Sequence, residues 1–244
     1  MIRIIASFAL AAVILLPDLP SAYQTVDVVD GASLTGKVVF KGKAPEPEKI
    51  LINKNKEVCG TGYRKKGEVR VSASGGLMDV VVYLEGIKKG KPLSKPAGGY
   101  VLDQKNCSFL PYVQVIPRRS KLVVLNSDPV LHNVHTYELI GRVKRTMFNF
   151  AQPVQGSKIT KTIRPRRGKV VKIECDAHNW MLGWIYVLDH PYFSVVGEDG
   201  TFKIDGIPPG TYKVKAWHPI LGIKEGKASV SAKGTARLSF EFAK

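Results

Sequence analysis

Short runs rich in Val and Ile constrain the fold of this chain more than any other feature. The runs are six to ten residues long and are bounded by Gly, Pro, Asn or Asp, as is typical of β-strands. No stretch of a dozen residues carries a convincing apolar period of 3.6 residues, so the sequence gives no helical signal. It therefore predicts an all-β protein. The clearest runs are LTGKVVF (34–40), LMDVVVYLEG (77–86), YVQVIP (112–117), KLVVLN (121–126) and GKVVKIEC (168–175).

The C-terminal region shows the strand pattern most cleanly. Phe202 and Ile204 alternate with Lys203 and Asp205, and the segment PPG (208–210) marks the next turn. Such alternation predicts half-buried antiparallel strands joined by tight turns.

The segment DGTFKIDGIPPGTYKVKAW (199–217) resembles the end of carboxypeptidase-regulatory-like, or transthyretin-like, β-sandwich modules. TGKVVFKG (35–42) is similar to the first strand of such modules. The resemblance implies that an N-terminal β segment (23–99) and a C-terminal segment (190–244) form one sandwich around an inserted domain (100–189). Three units in series are the alternative.

The first 22 residues have the pattern of a secretory signal peptide. A basic start is followed by an apolar run of 13 residues, Ile4 to Leu16, interrupted only by Ser7, and by a cleavage site after Ala22. An apolar run of this length is too short to span a bilayer, which needs about 20 residues. We therefore expect an exported, periplasmic protein without a membrane span after signal removal; an uncleaved anchor is the alternative.

The chain is strongly basic, with 37 Lys and Arg against 20 Asp and Glu. A net charge of +17 favours encounter with acidic partners. Export and the lack of any nucleic-acid motif argue against nucleic acid. Two basic runs, RVKR (142–145) and RPRRGK (164–169), could form a docking face for an acidic partner or simply be solvated loops.

The three cysteines leave one thiol without a partner. Cys59 and Cys107 lie in polar, turn-like contexts, whereas Cys175 ends a run with strand alternation. In an oxidising compartment we therefore expect a Cys59–Cys107 disulfide and a free Cys175. A bound metal ion would protect that thiol.

The loop CDAHNWM (175–181) places Cys175, His178 and Met181 at three-residue steps. Because a strand ends at Cys175 and another begins at Leu182, the loop can turn all three side chains toward one point. Upstream, His132 follows the strand 121–126. One thiol, two imidazoles and a thioether form the ligand set of an electron-transfer copper site.

NSDPVLHNV (126–134) together with CDAHNWM resembles the cupredoxins, the family of plastocyanin, amicyanin and azurin. The resemblance covers roughly residues 100–189. It implies a cupredoxin-like Greek-key β-sandwich in which one type 1 copper ion is held by His132, Cys175 and His178, with Met181 as axial ligand. It also implies that Asn133 joins the two ligand segments by hydrogen bonding.

Two nearby residues leave alternatives open. His135 lies three residues after His132 and could replace it as ligand or lie beside the site. Trp180, inside the ligand loop, could shield copper or be ordinary packing. Zinc could use the same Cys and His residues but has little use for Met.

These features predict a single-electron carrier rather than an enzyme. The five histidines contain no His-x-His pair, so an oxygen-reducing copper cluster is not expected. Electrons would pass through the His178 edge to an acidic redox protein, such as a cytochrome or an electron-transfer complex. Copper storage or delivery, or a role as a β-rich subunit of an envelope complex, is the alternative.

Overall fold

The computed structural model describes residues 23–244, so the predicted signal peptide (1–22) lies outside the described residues. The described chain is all-β, which confirms the predicted fold class. Its one helix, α1 (Lys56–Cys59), has four residues, and no helix of residues 23–244 could cross a membrane. The strands are β1 (Gln24–Thr25), β2 (Ala32–Lys41), β3 (Glu48–Leu51), β4 (Tyr63–Lys66), β5 (Val81–Glu85), β6 (Lys89–Gly90), β7 (Tyr100–Lys105), β8 (Ser108–Leu110), β9 (Val113–Val115), β10 (Lys121–Asn126), β11 (His132–Ile140), β12 (Val143–Gln152), β13 (Lys158–Thr162), β14 (Val170–Glu174), β15 (Leu182–Tyr186), β16 (Phe193–Val195), β17 (Thr201–Ile207), β18 (Gly210–His218), β19 (Gly222–Val230), β20 (Thr235–Arg237) and β21 (Phe240–Ala243).

The central part of the chain forms a sandwich of two sheets. One sheet has the strand order β13-β10-β7-β8 and the other the order β12-β11-β14-β15-β9. Leu102 and Val124 from the first sheet pack with Val171 and Ile173 from the second in one apolar core. The alternation in β14 explains this, because Val171 and Ile173 are buried while the intervening Lys172 is not.

The chain segments before and after this sandwich pair with each other. Strand β17 lies antiparallel to β2, with Phe202 opposite Gly36, and β18 lies antiparallel to β5, with Ala216 opposite Val82. Strands β20 and β21 extend along β2 on its other side. The two segments therefore contribute strands to the same sheets, which together we call the outer sandwich.

A second apolar cluster joins the two sandwiches. Tyr83 and Trp217 belong to the outer sandwich, and Trp184 and Tyr186 to the central one. The hydroxyl groups of Tyr83 and Tyr186 are 2.6 Å apart, and the Trp217 ring centre is 4.8 Å from that of Tyr186. Because this contact is buried, the sandwiches share an interface rather than being linked only by chain crossings.

A segment of the N-terminal part leaves its own sandwich and lies on the central one. This segment, residues 48–66, consists of β3, α1 and β4, and we call it the cap. The Cys59–Cys107 disulfide, present as predicted, fastens the cap to the central sandwich, and Cys175 is free and buried. Ile52 anchors the cap further, since it is buried in the same apolar cluster as Cys175.

The pairing of the outer strands predicts a specific intolerance at Gly36. A Cβ atom at this position would overlap the carbonyl oxygen of Leu238, which is backbone and cannot move aside like a side chain. We expect Gly36→Ala to lower the free energy of unfolding by about 3 kcal/mol, measured by urea denaturation. Gly197→Ala is the control, because no atom lies within 4 Å of its Cβ. Equal stability of the two variants would contradict the placement of β2 between β17 and β20.

Candidate metal centre

Three predicted ligands meet at one end of the central sandwich. His132 begins β11, Cys175 follows the last residue of β14, and His178 lies in the loop before β15. Strands β11 and β14 are hydrogen-bonded neighbours, so these positions are close in space. Nδ1 of His132 is 3.0 Å from Nδ1 of His178, and Sγ of Cys175 is 3.7 Å from the latter atom.

The donor atoms of His132, Cys175 and His178 all lie within 4.8 Å of one another. In protein sites a small divalent ion lies about 2.0 Å from imidazole nitrogen and about 2.3 Å from thiolate sulfur. Two nitrogens on one ion are therefore at most about 4 Å apart, and a nitrogen and a sulfur at most about 4.3 Å. The two measured distances satisfy both limits, so His178 can share one ion with His132 and with Cys175. The third pair, His132 and Cys175, has donor atoms within 4.8 Å of each other, close to the limit for a nitrogen and a sulfur.

A buried carboxylate fixes the tautomer of His132. Its Nε2 lies 2.8 Å from Oδ2 of Asp128, which also accepts the backbone N–H of Cys107, while Oδ1 accepts that of Asn106. An ionised carboxylate can only accept, so Nε2 carries the ring hydrogen. Nδ1 of His132 therefore has a free lone pair directed toward His178.

The cap fixes the tautomer of His178 in the same way. Its Nε2 is 2.9 Å from Oδ1 of Asn55, and the amide nitrogen of Asn55 faces the Glu57 carboxylate at 3.4 Å. This amide orientation makes Nε2 the donor and leaves a lone pair on Nδ1. Two lone pairs thus face each other across 3.0 Å, an arrangement that a cation between them would stabilise.

Burial keeps both rings neutral. It lowers the pKa of His132, against the opposing effect of Asp128, and it lowers the pKa of His178 to about 4, helped by the nearby His132 ring. Burial also raises the pKa of the Cys175 thiol, although the backbone N–H of Asn133, 3.3 Å from Sγ, opposes this. A bound cation would instead lower the pKa of the Cys175 thiol, because the thiolate is the form that ligates a metal.

Asn133 links the two ligand segments. Its Oδ1 accepts the backbone N–H of Asp176 at 3.2 Å, and its Nδ2 donates to Oδ1 of Asn149 at 2.7 Å. With its backbone N–H on the Cys175 sulfur, Asn133 connects the start of β11 to the end of β14. This is the contact that the family resemblance implies for this residue.

His135 lies apart from the three donors. Its Nδ1 is 3.1 Å from Oδ1 of Asp176, its Nε2 is 3.0 Å from the Thr146 hydroxyl, and its ring stacks on Tyr137 at 4.1 Å. Residues three apart on an extended strand point to opposite faces, so His135 is expected on the other face of β11 from His132. The partners of His135 are all different from those of His132, as this expectation requires. The residue that faces Cys175 and His178 is therefore His132.

Met181 and Trp180 are buried at the end of the ligand loop, with 1% and 4% of their surface exposed. The N–H of Met181 donates to the carbonyl of His178 at 3.0 Å, which closes the loop, and both residues share an apolar cluster with Cys175. The Trp180 ring centre is 5.0 Å from that of His178, and its indole N–H donates to the Cys107 carbonyl. Trp180 thus shields His178 as well as packing against the sandwich.

His178 has no exposed surface, because the cap lies over it. Besides Asn55, the cap contributes Lys66, whose Nζ donates to the carbonyl of Asn179 at 2.6 Å and lies 3.3 Å from Glu174. An electron that leaves through the His178 edge, as the sequence predicts, therefore has to cross the cap or Trp180. A cavity of about 200 Å³, lined in part by Trp180 and Met181, opens beside the loop.

Comparisons with known proteins support only a partial likeness. No protein-family model matches the chain, and no curated protein sequence is significantly similar to it. A copper-containing nitrite reductase from Thermus scotoductus is 18% identical with a TM-score of 0.30, over 40% of this chain and 25% of that one. A purple cupredoxin from Nitrosopumilus maritimus is 20% identical with a TM-score of 0.30, over 36% of this chain and 99% of that one. A variant of amicyanin is 15% identical with a TM-score of 0.30, over 39% of this chain and 86% of that one.

These neighbours are cupredoxins or contain copper, but TM-scores this low carry no argument about this chain. The chain spans only about a quarter of the nitrite reductase. The assignment of the site therefore depends on the geometry of its own residues.

The contact between Asn55 and His178 predicts a specific effect on metal affinity. Asn55 has a left-handed backbone (φ 50°), so Asn55→Gly removes the amide without adding backbone strain. We expect the affinity for Co(II), measured by competition with a chelator, to fall about tenfold because the His178 tautomer is no longer fixed.

Asn106→Gly is the matched control, since Asn106 is also left-handed (φ 53°) and exposed. Within residues 23–244 the Asn106 side chain forms no hydrogen bond. The Co(II) affinity of Asn106→Gly should therefore equal that of the parent protein. An equal loss in both variants, or no loss in Asn55→Gly, would contradict the role of the cap.

Proposed function

We propose that this protein binds one copper ion through His132, Cys175 and His178, with Met181 as a weaker fourth ligand, and carries single electrons. Copper would supply the redox chemistry by alternating between its two common oxidation states. The observation that supports this most is the convergence of two unprotonated imidazole nitrogens and one thiol in a buried site. All three residues are at most 2% exposed.

The donor chemistry favours copper over zinc. A thiolate and a thioether suit Cu(I), whereas imidazole suits both oxidation states. Copper also binds more tightly than zinc in the divalent series, and a thioether has little use in a zinc site. The presence of Met181 in the same short loop as Cys175 and His178 is therefore better explained by copper than by zinc.

The protein would contribute rigidity. His132 is held by Asp128, His178 by Asn55, and the Cys175 sulfur by the backbone N–H of Asn133. Side chains held in this way cannot rearrange freely when the charge of the ion changes, so little reorganisation would accompany electron transfer. Trp180 and the cap would exclude water from the same side chains.

Copper storage or delivery is the second candidate, and the cap favours it. A carrier exchanges electrons most easily when a ligand reaches the surface, but His178 is covered by Asn55 and Trp180. Complete burial favours retention of an ion over rapid exchange of electrons. The ligand set favours electron transfer, and spectroscopy separates the two candidates.

We further propose that the protein is exported and that it is not itself an enzyme. The Cys59–Cys107 disulfide supports an oxidising compartment such as the periplasm, because reducing compartments keep thiols reduced. An acidic redox protein would be its partner, given the net charge of +17.

Addition of Cu(II) to the purified protein tests the proposal. We expect strong visible absorption from sulfur-to-copper charge transfer at one equivalent of copper, bleached by a reductant and restored by an oxidant. Cys175→Ser should abolish the absorption, whereas Met181→Leu should retain it and change the reduction potential. Colourless binding, or binding that survives Cys175→Ser, would instead support storage or delivery.

The cap can be tested through its crosslink. The Cys59→Ala/Cys107→Ala variant should release copper to a strong chelator faster than the parent protein, because the cap then lies less firmly on His178. We expect it also to lose about 2–4 kcal/mol of stability. Lys66→Met, which removes the contacts with Asn179 and Glu174 but keeps the disulfide, should accelerate release in the same direction. Unchanged release in both variants would show that the cap does not control access to the site.

A further inference from the structure

A groove with three arginines lies on the open side of the central sandwich, away from the metal centre. Strands β12 and β13 are edge strands of the two facing sheets, and the groove runs between them. Its volume is about 490 Å³, and the residues that line it are Arg145, Met147, Phe148, Thr162, Arg164 and Arg166.

The floor of the groove is apolar. Met147 and Phe148 are partly buried and pack against the core of the sandwich. Beside them, Nζ of Lys161 lies 4.9 Å from the ring centre of Phe150, at cation–π distance. The groove thus combines apolar surface with cationic walls, a combination that suits a ligand with both acidic and apolar groups.

A buried carboxylate organises the cationic wall. Glu138 has no exposed surface, accepts the guanidinium of Arg145, and accepts the backbone N–H groups of Arg167 and Gly168 at 2.5 Å each. Glu138 therefore holds the strand with Arg145 and the loop with Arg164 and Arg166 in a fixed relation. One third of the Arg145 side chain remains exposed for a ligand.

The surroundings of the groove carry a concentrated positive charge. Residues 141–169 contain nine basic residues and no acidic one. Within the described part of the chain, only Arg145 of these nine forms an ion pair with a carboxylate. The nine are Arg142, Lys144, Arg145, Lys158, Lys161, Arg164, Arg166, Arg167 and Lys169.

We infer that this groove docks an acidic segment of a partner protein, with its carboxylates on the three arginines and an apolar side chain on Met147 and Phe148. Arginine pairs with carboxylates in a bidentate manner, which gives specificity as well as attraction. The six basic residues outside the groove extend the charge beyond what a small anion would need. A partner with a larger acidic surface therefore fits better.

Protection of the strand edges is the simpler explanation of this charge. Lys and Arg on edge strands do prevent pairing with other chains. Edge protection, however, needs neither an apolar groove nor a buried carboxylate that binds the Arg145 guanidinium and the backbone of the neighbouring arginine-rich loop. Those two features distinguish a binding site from a solvated edge.

The position of the groove separates docking from the metal centre. Arg145 and Gln152 are seven residues apart on β12, and Gln152 lies opposite His132. At about 3.3 Å per residue, the β12 residues of the groove lie about 13 Å (Phe148) to about 23 Å (Arg145) from the start of β11 along the strand. That the partner is a redox protein rests on the proposed function; the binding itself does not need the metal.

Binding can be measured with metal-free protein and a fluorescein-labelled peptide of glutamates and a single Phe, followed by fluorescence anisotropy at low salt. We expect binding to weaken at least tenfold in Arg164→Glu/Arg166→Glu. Lys88→Glu/Lys89→Glu is the matched control, because it changes the net charge equally at exposed positions of the outer sandwich. It should weaken binding less than twofold.

An equal loss in the two variants would show general attraction to a basic surface and would overturn the proposal, as would the absence of peptide binding. Tighter groove-dependent binding of heparin or of vesicles containing anionic lipid would assign the groove to another class of partner and would also overturn it. Because the assay uses metal-free protein, failure of copper binding would not affect its result.

Discussion

The proposed metal centre depends on two nitrogen lone pairs that face each other inside the protein. Nδ1 of His132 and Nδ1 of His178 are 3.0 Å apart, while Asp128 and Asn55 occupy the other nitrogen of each ring. Two neutral rings oriented in this way repel each other unless a cation lies between them. The buried thiol of Cys175 completes a set of donors whose orientation is explained by a metal ion.

The sequence predicts much of this site because its ligands are local. Strand alternation directs Cys175 to the buried side, and three-residue steps bring His178 and Met181 into the same loop. The β-rich class and the disulfide also follow from short-range patterns and from cysteine counting. Asp128 was missed, although its position four residues before His132, in a turn, was a usable signal.

The cap over His178 and the pairing of the outer segments could not be predicted, because both depend on long-range packing. Asn55 is 123 residues from His178, and only the hairpin of the cap and the Cys59–Cys107 disulfide bring the two together. The sequence likewise left two arrangements of the outer segments open, since only strand pairing can decide between them. The burial of His178 follows from the cap. The cap is thus a chain segment from outside residues 100–189 that contacts His178 of the central sandwich.

Nitrogen NMR of the histidine rings tests the central claim most directly. In metal-free protein near neutral pH, we expect His132 and His178 to be neutral with the hydrogen on Nε2. Addition of one equivalent of Cu(I), which is diamagnetic, should then shift the Nδ1 resonances of both residues together. A hydrogen on Nδ1 of either ring, shared between the two, or Nδ1 resonances unchanged by Cu(I), would contradict the account.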